Sequence, residues 1–304
     1  MTVRLARFAL SLYPLAYRRR YGEEMHALLE DEPPRARTVL DLLKGALVAH
    51  LRARNAPAGA VDPADRVRAS ASGVLMCWVL FAAAGFGFYK TTEDQPFSDA
   101  GHVHPLLRDA HLAVQAVAVI ASAAVVLGAL PLIAAALARA RHDPSARRTV
   151  ALPLAPVIVF GVLTAVVVAY AHSHSANHAS GAGYGLATAW GIAGIACGVA
   201  CALACRAALF ATPVAPPRLV AALASGTLVT VAMFAIATAT AVYGIALVID
   251  AGSLAGESNG PFQVLSVTTS LIIVTVVMVA AAVLGATASR RGWRVRGELD
   301  AAAH

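Results

Sequence analysis

From about residue 72 onward, the chain alternates between long apolar runs and short polar interruptions. The runs cover 72–90, 112–137, 150–171, 184–205, 219–249 and 263–287. Crossing ~30 Å of hydrocarbon takes roughly 17–25 predominantly apolar residues in an α-helix. The pattern therefore predicts an all-α fold, a polytopic transmembrane helix bundle of six spans. The run at 219–249 is overlong, so it should tilt, bend near Gly226 or Gly244, or extend past the bilayer. Splitting it would leave no polar turn between the halves, and whether it is one span stays open. Pro131, Pro153 and Pro156 lie in the second and third runs, where helix shaping is their expected role.

Residues 1–70 follow another pattern: they contain no run long enough to span, and they hold 12 of the 24 Lys/Arg and 8 of the 17 Asp/Glu. Within 13–31, Tyr17, Tyr21, Met25 and Leu28 recur at helical spacing. Arg19–Glu23 and Arg20–Glu24 form i,i+4 pairs, each contributing a few tenths of a kcal/mol. Pro33 and Pro34 end that helix. A second helix over 38–54 aligns Leu40, Leu43, Leu47 and Leu51. Two helices this short are marginal alone, so they should pair as a hairpin and lean on the membrane, the bundle or a partner. The expected domains are a cytoplasmic amphipathic module (1–56), a linker (57–71), the transmembrane domain (72–287) and a basic tail (288–304). The apolar stretch 8–17 is short and interrupted by Pro14, and no small-residue cleavage site follows, so no cleavable signal peptide is expected.

Composition strengthens the membrane reading. The chain is 59% hydrophobic and 13% charged, with a mean hydropathy of +0.68. Soluble domains average about 45–50% apolar and ~25% charged residues. A net charge of +7 raises the question of nucleic acid, but the charges flank apolar runs and form no basic face with interleaved aromatics. No nucleic-acid partner is expected, and the anionic inner leaflet fits better. With the N-terminus inside, 22 of the 24 Lys/Arg fall on the cytoplasmic side, leaving Lys90 and Arg108 outside. That asymmetry puts both termini in the cytoplasm. Tyr89, Tyr170, Tyr184 and Phe262 fall near the outer interface, Phe210 and Trp293 near the inner one. Arginine in place of lysine and abundant alanine suggest a GC-rich bacterium, hence the bacterial plasma membrane.

Candidate chemistry is sparse. His102, His104, His111, His172, His174 and His178 fall in or beside the first two outer loops, with Glu93, Asp94, Asp99 and Asp109 nearby. Imidazoles in that number could bind zinc or copper or sense pH, but no HExxH or CxxC element fixes a geometry, and solvated loop chemistry is the default. Cys197, Cys201 and Cys205 recur every fourth residue beside Gly191, Gly194 and Gly198. They could hold a soft metal, although a small-residue seam for a neighbouring helix is favoured. The Gly194–Gly198 spacing is a weak dimerisation signal, which leaves a homo-oligomer open. Between the expected interfaces no span carries Asp, Glu, Lys, Arg or a central His, and Gln115 sits near one end of the second. Ion-coupled carriers and pumps usually need such a group. No nucleophile elbow, P-loop or dinucleotide fingerprint appears either. No catalytic residue, cofactor or defined metal site is expected.

One stretch carries a resemblance. Tyr13-Pro14, Arg18 to Arg20, Tyr21-Gly22-Glu23-Glu24-Met25, Leu28 to Asp31, Asp41 to Ala46 and His50-Leu51 resemble an N-terminal module of uncharacterised, largely actinobacterial, multi-pass membrane proteins. The stretch is also similar to N-terminal segments of some ABC-type export permeases, and to cytoplasmic helical domains of membrane proteins encoded beside PadR-like regulators. The resemblance covers the N-terminal module and none of the spans. With Tyr17, Tyr21 and Met25 on one apolar face, the module suits either a hairpin that caps the bundle or docking of a cytoplasmic protein through residues 13–54, and the chain is expected to be an accessory or regulatory membrane component. The alternatives are a permease-like subunit of an ABC-type exporter and a metal-binding or sensing protein that uses the outer histidines.

Overall fold

A computed structural model describes residues 63–173, 181–257 and 265–301 continuously. In the N-terminal region it describes Ala6, Ala9, Leu10, Tyr13, 21–25, Ala27, Leu29, 37–39, Asp41, Leu42, Gly45 and Ala46. The described residues are overwhelmingly helical and none lies in a strand. From Pro63 on, the elements are α1 (Pro63–Thr92), α2 (Gln95–Val103), α3 (Pro105–Ala140), α4 (Pro144–Ala151) and α5 (Leu154–Ser173). They continue with α6 (Gly181–Ala211), α7 (Pro216–Asp250), α8 (Gly252–Ala255) and α9 (Val267–Ala301). Four of them open on a proline, whose missing N–H costs nothing in a first turn.

Six stretches are long and apolar enough to cross a membrane: α1, α3, Ala146–Tyr170, Thr188–Ala211, α7 and Val267–Gly297. The chain is thus a polytopic α-helical membrane protein. The overlong fifth run is a single uninterrupted helix of 35 residues. At 1.5 Å per residue it is about 52 Å long, well beyond the hydrocarbon thickness. The prolines act differently. Pro131 lies inside the continuous α3, Pro153 sits in the turn between α4 and α5, and Pro156 falls in the first turn of α5.

The helices depart from the hydropathy reading in several places. α1 begins at Pro63, inside the stretch read as a linker, because Asp65 occupies its first turn and pairs with Arg68 at 2.7 Å. α9 runs to Ala301, through most of the stretch read as a tail. α2 and α8 are short helices between spans where only loops were expected.

The centre is built by α1, α7 and α9, with α3 against α7. Phe81, Met233, Leu247 and Met278 are fully buried there. Close approach relies on glycine. A Cβ at Gly292 would lie 2.5 Å from Leu223 Cδ1 and 3.0 Å from Ser70 Cβ, and one at Gly128 would collide with Ser225. Helix α6 rests on α1, and α5 reaches the rest of the bundle chiefly through α6. The arginine-rich ends of the spans gather at one end of the bundle, as the α1–α7–α9 contact of Ser70, Leu223 and Gly292 requires. At the opposite end, Phe88, His111 and Tyr243 meet.

In the N-terminal region, Leu10, Tyr13 and Ala46 form a small buried cluster with Met25, Leu29 and Leu42 against it. Glu23, Glu24, Arg37 and Asp41 are exposed, so both expected helices are amphipathic where described. Ala6, Ala9 and Leu10 are also helical, ahead of the expected hairpin. Tyr17, Leu28, Leu40, Leu43, Leu47 and Leu51 lie outside the described residues.

Candidate functional site

The histidine-bearing end is the natural place to look for chemistry. His102 is exposed in the last turn of α2. His104 joins α2 to α3: its N–H donates to the Ala100 carbonyl at 2.8 Å, and its carbonyl accepts from Leu107 at 3.1 Å. His111 leaves the loop. Its ring lies 5.7 Å from Phe88 and 6.0 Å from Tyr243, and Phe88 and Tyr243 pack edge to face at 5.3 Å. Gln115 Nε2 lies 2.9 Å from His111 Nε2. An amide nitrogen can only donate, so the imidazole nitrogen accepts. His111 thus ties α3 to α1 and α7, and the other two histidines do not join it.

The acids at this end have other work. Glu93 pairs with Lys90 at 2.5 Å, Asp109 with Arg108 at 3.1 Å, and Asp99 accepts from Gln95 at 3.0 Å. His172 Nδ1 faces the Val168 carbonyl at 2.9 Å on its own helix. His174 and His178 lie outside the described residues. Among the described residues no three His, Cys, Asp or Glu side chains come together in a way that could hold a metal ion.

Cys197, Cys201 and Cys205 are free and half-buried along α6. Eight residues of helix set the outer two about 12 Å apart, far beyond what bonds of ~2.3 Å to one ion can bridge. The neighbouring glycines explain the seam. A Cβ at Gly194 would meet Phe160 of α5 at 2.9 Å, and one at Gly198 would meet Val79 of α1 at 3.0 Å. The spacing that resembles a dimerisation motif is therefore filled from within the chain, by two different helices.

A tryptophan that sequence reasoning missed completes this junction. Trp190 Nε1–H donates to Thr164 Oγ1 at 2.9 Å, and the ring stacks on Phe160 at 5.5 Å and meets Phe86 edge-on at 5.3 Å. It joins α6 to α5 on one side and to α1 on the other. The counterpart at the arginine-rich end is Trp293. Its indole donates to Thr227 Oγ1 at 2.8 Å, Thr227 lies 2.8 Å from Ser289 Oγ, and Arg296 sits over the Trp293 ring at 5.3 Å. No periodicity marks either bond; only the pairing of an indole with a hydroxyl on another span could have pointed to them.

In the interior, the buried polar residues among those described are serine and threonine only. Thr91, Thr212 and Thr230 each donate to a carbonyl one turn back at 2.8 Å. Set against known proteins, the chain matches no family model, and no curated protein or solved structure gives a match.

Proposed function

We propose that the chain is a non-enzymatic accessory or regulatory component of the bacterial plasma membrane, with both termini in the cytoplasm. The observation that carries the reading is the character of the interior. Among the described residues, the buried polar side chains are serine and threonine hydroxyls, most of them tied to backbone carbonyls or neighbouring hydroxyls, and no carboxylate, ammonium or guanidinium lies between the two ends. Ion-coupled carriers and pumps usually place such a group on their pathway. What remains is a bundle suited to holding and connecting.

Charge supports the orientation. Lys90 and Arg108 at the histidine-bearing end are paired with acids; at the other end exposed Arg139, which pairs with Asp143 at 3.5 Å, is joined by exposed Arg141, Arg147 and Arg148. The second end suits the cytoplasmic leaflet. There the N-terminal module, with its own apolar cluster and charged outer faces, is the candidate docking element through residues 13–54.

Gly45 offers a way to disable the module without touching the spans, because a Cβ at that position would collide with the Tyr13 hydroxyl. Affinity capture from the native membrane should recover cytoplasmic partners with the full chain and lose them with Gly45→Leu or with residues 1–56 deleted. Identical partners and yields from all three would end the docking reading.

A further inference from the structure

Between α1, α3, α6 and α7, in the half of the bundle nearest the arginine-rich end, lies a cavity of about 470 Å³. That is within the ~300–1,000 Å³ typical of ligand sites. Helices α3 and α6 scarcely touch one another, and the turn from α4 to α5 forms part of the wall. Ile133, Leu137 and Leu154 on its lining are about half exposed, at 50%, 49% and 59%, so the space communicates with the surroundings of the bundle.

The chemistry of the wall narrows the occupant. Three hydroxyls line it, and each has a backbone acceptor: Ser72 donates to Ala69 at 3.0 Å, Thr212 to Ala208 at 2.8 Å, and Ser225 across to Ala124 of α3 at 2.5 Å. A water needs two to four polar partners to be held in such a space, and these walls offer few. An apolar occupant fits better. The one charged side chain on the lining is Arg206, whose guanidinium also lies 5.5 Å from the centre of the Phe210 ring. A planar guanidinium beside an otherwise apolar cleft matches an amphiphile with a phosphate head and a hydrocarbon tail. Basic pockets between spans on the cytoplasmic side take anionic lipid head groups by the same logic.

We propose that this cavity binds one anionic phospholipid from the leaflet at the arginine-rich end, its acyl chain in the cleft and its phosphate against Arg206. The site is separate from the N-terminal module, and its test does not depend on whether that module docks a partner.

The experiment is native mass spectrometry of the full chain, purified in mild detergent and equilibrated with equal amounts of phosphatidylglycerol and phosphatidylcholine of matched chains. The wild type should retain one phosphatidylglycerol with about fivefold preference, the factor expected from one basic residue near an anionic lipid. Arg206→Gln should retain either lipid without preference. Ala129→Phe, which fills the cleft, should retain neither. Arg147→Gln and Arg148→Gln, outside the cavity, should keep the wild-type preference. Equal retention of the two lipids by the wild type, or an undiminished preference in Arg206→Gln, overturns the proposal. So does a folded Ala129→Phe that carries as much lipid as the wild type. Thermal unfolding of each variant identifies one that fails to fold, and in that case the Arg206→Gln result decides alone.

Discussion

The most apolar stretches of α5 and α9 are almost equally hydrophobic, yet they occupy opposite situations. In the most apolar window of α9, 39% of residues are buried within the protein; in the corresponding window of the span that contains α5, none is. In water the more apolar helix would be the more buried one. In a bilayer the lipid tails are as apolar as leucine, so hydrophobicity does not choose partners. Small residues and hydroxyls do. α9 brings Gly285 and Gly292 against α1 and α7 and shares a hydroxyl contact between Ser289 and Thr227. α5 brings Phe160 and Thr164, and both are taken up by one tryptophan and one glycine of α6. The bundle therefore has a knit centre of α1, α7 and α9, flanked by α3, and a hairpin hung on its side.

Cavity formation should separate the two regions most. Phe81→Ala removes a side chain only 2% exposed and should cost about 3–5 kcal/mol, the usual range for a buried phenylalanine. Val166→Ala on α5, at 54% exposure, should change stability by under ~0.5 kcal/mol. Reversible unfolding in mixed micelles measures both, and similar costs would erase the distinction. Overpacking gives the next contrast. Gly292→Leu has no room and should cost about 1–3 kcal/mol or more, whereas Gly161→Leu on α5, with nothing within 4 Å, should be close to neutral. The smallest effect sharpens the picture. Trp293→Phe and Trp190→Phe each remove one hydrogen bond, worth about 0.5–1.5 kcal/mol. The first should lower global stability. The second should loosen only the hairpin, visible as faster hydrogen exchange across 154–211 with the remaining helices unchanged.

The number of spans was legible in hydropathy because each run must satisfy its backbone within lipid, and only a long helix does so. The absence of any polar turn pointed toward a single α7, but hydropathy alone left open whether that run is one span, and the continuous helix Pro216–Asp250 answers it. What could not be read was which spans form the centre, since α5 and α9 look alike until their neighbours are known. Some misses left signals. Pro63 followed by Asp65 is a helix-start pattern, and it was masked by the polar residues around it. Gln95-Pro96 opens α2 in the same way. At the candidate sites, the histidine grouping was a loop count, and it broke down because His111 belongs to an aromatic contact between three helices. In the cysteine seam, Gly194 and Gly198 serve two different neighbours, α5 and α1, a division that the spacing alone could not show.

Both the docking module and the lipid site require the arginine-rich end to face the cytoplasm, and site-directed labelling tests that placement most directly. All four native cysteines lie in helices α1 and α6, and they can be changed to alanine or serine. Single cysteines are then placed at His102 in α2, Arg147 in α4, Glu257 after α8 and Arg296 in α9. A membrane-impermeant maleimide added to intact cells should label His102→Cys and Glu257→Cys at once. It should reach Arg147→Cys and Arg296→Cys only after the membrane is opened. Labelling of all four in intact cells, or labelling of the 147 and 296 pair alone, would contradict the account.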